Sequence, residues 1–164
     1  MDFAPLVARL QEILDAGGGE PLPSGGQRFL PLITLESGAR CGLDREGAWL
    51  LLPEDGRPAV RSAPEAAHLF HEVLEQKRAR FDDAVEAAAR AAGLPADEAV
   101  FSFPAVAVVR AVLAKQHAYL TRLALEWLRT TELRELRGEI RKVAQDTNMP
   151  LPVRELAERL VVPE

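Results

Sequence analysis

Between residues 28 and 52 the chain sets apolar side chains on both faces of what read as β-strands, and this restricts its fold more than any other feature. In a regular strand over 28–35, Phe29, Ile33 and Leu35 point one way and Leu30 and Leu32 the other. In 48–52, Ala48, Leu50 and Leu52 oppose Trp49 and Leu51. An antiparallel sheet with one wet face alternates apolar with polar residues, so both faces here need a cover. The connections carry turn chemistry: Glu36-Ser37-Gly38, Asp44-Arg45-Glu46-Gly47 and Pro53-Glu54-Asp55-Gly56, with an Asp or Pro entering two of them and a Gly closing them. They predict a meander of strands at 28–35, 39–43 and 48–52, with a short fourth at 58–62. Pro31 has no N–H to give a ladder, which places the first strand at an edge.

Helices supply one cover. Phe3, Leu6, Val7, Leu10, Ile13 and Leu14 make one stripe over 3–16, and Gly17, Gly18 and Gly19 end it. Residues 17–27 read as a loop. Beyond residue 62 the pattern is helical. Ser62 and Glu65 fit a capping box before a helix over 63–92, with Pro64 in its first turn. Ala67, Phe70, Val73, Leu74, Phe81, Ala84, Val85 and Ala88 line one side of it. Gly93 and Pro95 stop it, and 96–103 reads as a short helix or a strand. A long helix over 104–129 is apolar around much of its circumference, and helices at 131–146 and 152–161 follow. The expected class is α+β: an N-terminal helix, a three- to four-stranded antiparallel meander and a C-terminal bundle of about four helices. We read it as one domain over 1–164, with 1–62 the helix and meander and 63–164 the helical part.

Composition bounds the function. A chain of 164 residues, 48% hydrophobic and 27% charged, can bury about 70% of its unfolded surface and needs no metal or disulfide to hold a core. One cysteine makes no internal disulfide, and the start, Met1-Asp2-Phe3, lacks the basic region of a signal peptide. The expectation is a cytoplasmic protein with no membrane span and no cofactor. The bias to Arg over Lys suggests a GC-rich bacterial source. A net charge of −5 argues against nucleic-acid binding by the whole molecule, which needs a concentrated basic face.

Chemistry-bearing residues are sparse. The glycines of 17–26 lack phosphate-loop spacing and follow a helix instead of leaving a strand. His68 and His71, three apart, with His117 are the weak candidates for a metal, since imidazoles at that spacing share a helix face. His117 falls at the margin of an apolar stripe, where a partly buried imidazole is expected. Cys41 shares a strand face with Ala39 and Leu43 and points inward, while Arg40 projects oppositely. Ser24 and Ser37 lack a nucleophile-elbow setting. Asp82, Asp83 and Glu86 fit a solvated helix face. Arg134, Arg137 and Arg141 follow at spacings of three and four beside Lys142 and predict a basic face, diluted by Glu132, Glu135 and Glu139. Residues 151–160 look like the first helix of a helix-turn-helix.

The surplus of apolar surface therefore points to a non-catalytic interaction module: an adaptor, chaperone-like or immunity-type protein that binds a protein partner or itself. In size, acidic charge and element order the chain resembles small acidic secretion chaperones and immunity-type proteins, a likeness that carries over no residue. The expected anchors are Trp49, Leu51 and Trp127, because buried aromatics dominate interface energies. Two alternatives stand beside this: a metal-dependent enzyme using His68, His71 and His117, and a DNA-linked regulator working through the C-terminal helices.

Overall fold

A computed structural model describes residues 1–161 and 163. The class is α+β, with an N-terminal helix, a five-stranded antiparallel sheet and a helical remainder. The chain forms two compact units: residues 1–66 with 79–104 make unit 1, and 67–78 with the chain from 105 onward make unit 2. No helix among the described residues is long and apolar enough to cross a membrane.

In unit 1, α1 (Ala4–Asp15) buries Leu6, Leu10 and Leu14, the stripe expected from spacing. No side chain of its own N-cap serves the helix. Instead Glu98, distant in sequence, accepts a 2.9 Å hydrogen bond from the Leu6 N–H, where the helix dipole also favours a carboxylate. At the other end Arg28 donates to the carbonyls of Gly17, Gly18 and Gly19 at 2.9–3.0 Å. Gly19 has φ +68°, and a Cβ there would meet the Phe29 carbonyl.

The strands are β1 (Glu20–Pro21), β2 (Arg28–Thr34), β3 (Arg40–Asp44), β4 (Trp49–Leu52) and β5 (Val60–Arg61), in spatial order β1-β2-β3-β4-β5. Two expectations are corrected here. The strand carrying Pro31 is not at the sheet edge, because Glu20 and Pro21, expected in a loop, pair with Phe29 and Arg28. Pro31 lies beyond that two-residue pairing, so its missing N–H breaks no ladder bond on that side. Secondly, a register shift between Pro31 and Ile33 adds a residue to β2 and reverses its faces. Ile33 stands opposite Cys41 while Phe29 stands opposite Asp44, so these two side chains occupy opposite faces.

One face of the sheet holds Leu30, Ile33, Cys41, Leu43, Trp49 and Leu51, by register. The Trp49 ring meets Phe103 edge-on at 5.2 Å and Phe81 at 6.2 Å. Its Nε1 donates to the Ser102 hydroxyl at 2.9 Å, and that hydroxyl donates to the Ala99 carbonyl. The opposite face carries a second cluster of Leu22, Phe29, Leu50 and Leu52, with Ala59 packed on it. Phe81 and Val85 come from α2 (Arg78–Ala92), and Ala99 from α3 (Ala96–Phe101), so the segment with two readings is helical.

The helices expected beyond residue 62 are shorter than their patterns. The 63–92 helix is a turn at 64–66, a 3-10 helix (Ala67–Glu75) and then α2, with no Ser62 cap. Ala67, Phe70 and Val73 follow at strict intervals of three, the repeat of a 3-10 helix, and all are fully buried. On α2 the buried alanine is Ala89, whereas Ala84 is exposed and Ala88 half-buried. The 104–129 helix breaks into α4 (Ala105–Ala114) and α5 (Ala118–Trp127), because Gln116 adopts φ +57° and His117 caps α5. The 131–146 helix breaks at Leu136 into α6 (Thr130–Glu135) and α7 (Arg137–Gln145). Leu136 leaves the helical path and is fully buried. The last helix, α8 (Leu151–Leu160), packs on α7 and α5, while α4 packs on the 3-10 helix, α5, α6 and α7.

Candidate functional site

The residues expected to anchor a partner lie inside their own chain. Trp49, Leu51 and Trp127 are 1%, 7% and 3% exposed, and a docking anchor must be reachable before binding. Trp49 belongs to the aromatic cluster of unit 1. Trp127 belongs to a polar cluster in unit 2, where Arg78 is stacked with its guanidinium 4.1 Å from the indole centroid. Arg78 donates to both carboxylate oxygens of Glu132, at 2.8 and 3.0 Å, and to the Trp127 carbonyl. Glu132 also accepts from the Arg129 N–H at 2.8 Å, closing the start of α6. Trp127 Nε1 donates to the Gln76 carbonyl at 3.1 Å.

The histidines are dispersed in role. His68 and His71 fall in one row of the 3-10 helix, where residues three apart eclipse, half-buried and exposed respectively. His117 is not at a buried margin: it is exposed, and its Nδ1 accepts from the Leu120 N–H at 3.4 Å as the α5 cap. Among the described residues no three His, Cys, Asp or Glu side chains are placed to hold a metal ion. Cys41 is buried on the Leu43 face, as its strand position implies. Asp83 is exposed, Asp82 half-buried, and Glu86 pairs with Arg90 along α2.

The basic row is also divided. Arg134 lies on α6, and Arg137 and Arg141 lie on α7, so no continuous helix carries all three. Lys142 borders a cleft of about 280 Å³ in unit 2, floored by Leu113, Val143 and Met149. At its rim Arg110 donates to Glu139 at 2.8 Å and holds that carboxyl below its usual range. Residues 151–160 form the second helix of a pair, entered through the turn at 146–150, where Asp146 accepts from the Asn148 N–H.

A further concavity lies in unit 1, on the sheet face carrying Leu50. A cleft of about 460 Å³ opens there, with Leu22 and Leu50 at its floor and Ser24, Pro58 and Ala59 on its walls. It shares Gln27 and Arg61 with a second hollow of about 270 Å³, lined by Arg28, Arg45, Asp15, Asp44 and Glu46. Its charges are engaged within the chain. Asp44 accepts from the N–H groups of Glu46 and Ala48 at 2.9 Å and from Arg61. Arg45 pairs with Asp15 at 3.1 Å, and Arg28 closes α1. Such groups fix loops instead of standing poised for proton transfer. What the cleft presents to a ligand is shape, the apolar walls of Pro23, Pro58 and Ala59, and the outward part of Arg61.

Sequence reasoning passed over this site. Its loops were visible as Gly- and Pro-rich stretches at 21–27 and 56–58, but only β1 brings the first of them against the sheet. The comparisons with protein-family models, curated proteins and solved structures find no match for this chain.

Proposed function

We propose that this chain is a non-catalytic interaction module that binds another polypeptide through the unit 1 cleft between residues 22–27 and 56–61. The observation that carries the reading is a cleft whose apolar walls, the exposed Pro23 and Pro58 and the half-buried Ala59, stand open above the buried Leu22 and Leu50 between two glycine- and proline-bearing loops. Specific pockets combine an apolar floor with a few polar groups at the rim. Gln27 and Arg61 supply these. The partner contributes an apolar side chain to lie between the walls of Pro23, Pro58 and Ala59 and a hydrogen-bond acceptor for Arg61. A cytoplasmic setting belongs to the same reading and is supported by the lone, buried Cys41, and a bacterial one by the bias to Arg over Lys.

The test is site-specific photo-crosslinking in the native host, with the photoreactive residue at Gln27 in the cleft or at Glu158, exposed on α8. The expected result is one discrete product from position 27, absent from position 158 and abolished by Ala59→Arg. Its mass separates a second copy of the chain from a different protein. Equal labelling from both positions, or a product indifferent to Ala59→Arg, overturns the proposal.

A further inference from the structure

We infer that residues 67–78 are a strap that leaves the helices of unit 2 as one piece, while the rest of that unit stays folded, and that the Arg78–Glu132–Trp127 cluster is its latch. Three features of the chain carry this. Residues 67–78 belong to unit 2, but the residues joined to them on both sides, up to 66 and from 79, belong to unit 1. Within unit 2 the strap is therefore held by non-covalent contacts, with no peptide bond to the rest of that unit.

Its backbone is a nine-residue 3-10 helix, whereas such runs rarely exceed three or four residues because their hydrogen bonds are poorly aligned. Its bonds therefore contribute less than those of an α-helix of equal length. What holds it is the row Ala67, Phe70 and Val73 with Leu74, packed against α4 and α5. At its exit stand two ties. Tyr119 on α5 donates to Glu75 at 2.7 Å, an exposed contact of small effect. The latch is the strong one, since the Arg78 and Glu132 side chains are only 13% and 14% exposed. Opening it hydrates both charges together, and no partner is left stranded. Proteins open in cooperative pieces of unequal stability, and this piece has weak internal bonds and a buried polar lock.

Amide hydrogen exchange on the full-length protein decides the matter. The strap amides, Leu69 to Glu75, are expected to be less protected than Val108 to Val112 of α4. In Glu132→Gln they exchange faster by roughly a hundredfold, the order expected for breaking a buried charge pair, while α4 amides change much less. Val143→Ala weakens the α7 packing away from the strap, so it lowers α4 protection and leaves the strap rate unchanged. If Glu132→Gln does not fold, Trp127→Phe removes the indole N–H donated to Gln76 and part of the ring stacked on Arg78, and accelerates the strap by at least about tenfold, the effect of one hydrogen bond. Equal protection of strap and α4 in the unaltered protein overturns the inference, as does a strap rate that follows α4 in Val143→Ala.

Discussion

The two tryptophans sit in matching burial but in opposite chemistry. Trp49 in unit 1 rests among neutral rings, with a serine hydroxyl taking its N–H. Trp127 in unit 2 is faced by a guanidinium and gives its N–H to a backbone carbonyl. The charge balance differs too: unit 1 has 8 Lys and Arg against 15 Asp and Glu, and unit 2 has 12 against 10. A cluster of rings loses stability in proportion to the volume removed. A desolvated charge pair tolerates loss of both partners far better than loss of one. The same residue type therefore marks a forgiving site in one unit and an unforgiving one in the other.

The largest expected effect tests that contrast directly. Glu132→Ala leaves Arg78 without its carboxylate and costs about 3–5 kcal/mol, read as a shift in the urea unfolding midpoint. The double change Arg78→Met with Glu132→Leu recovers most of the loss, and failure to recover it breaks the comparison. Next, Ser102→Ala orphans the buried Trp49 N–H and costs about 1–3 kcal/mol. Measured by the same unfolding, a loss as large as that of Glu132→Ala would show that the Trp49 site is equally unforgiving.

Two smaller effects have the opposite sign. Thr121 is buried on α5 and its hydroxyl has no hydrogen-bond partner, so Thr121→Val raises the thermal midpoint by an amount worth about 1 kcal/mol. Gln116→Gly relieves the left-handed backbone between α4 and α5 and adds roughly 0.5–1 kcal/mol.

The smallest effect is a pH dependence. The hydrogen bond from Arg110 depresses the folded-state carboxyl of Glu139 below its ordinary value of 4.5. That pair's contribution is complete above the ordinary value and is lost as pH falls through the lowered one. At neutral pH Glu139→Gln therefore costs about 0.2–1 kcal/mol, and the gap from the unaltered protein closes in acid titrations of stability. A gap that persists at low pH would place the effect in packing instead of charge.

Much of unit 1 was legible because a meander is written in local chemistry. Asp44 and Gly47 announce their turn, and the unbroken apolar run Trp49–Leu52 announces two buried faces. The face reversal in β2 was hidden, since a bulge depends on how the neighbouring strand pairs. The breaks in unit 2 were illegible for a related reason. Lys115, Gln116 and Leu136 are all ordinary helix formers, and only packing of the surrounding helices turns the chain there. Trp127 stood out by type, but its role depends on Arg78, whose sequence position reads as one more charge on a solvated face. The cleft stayed hidden because Leu22 and Leu50 meet only after the glycine-rich stretch folds back as β1.

The interleaving of the two units bears on how the polypeptide emerges from a ribosome. Trp49 is synthesised well before Phe81, Ser102 and Phe103, and Arg78 well before Trp127 and Glu132. A nascent chain halted after residue 66 thus carries an indole with no ring to meet, and one halted after residue 104 carries an unmatched guanidinium. Each stalled length offers a chaperone a different unfinished surface, and the order in which those surfaces vanish is set by where the chain crosses between units.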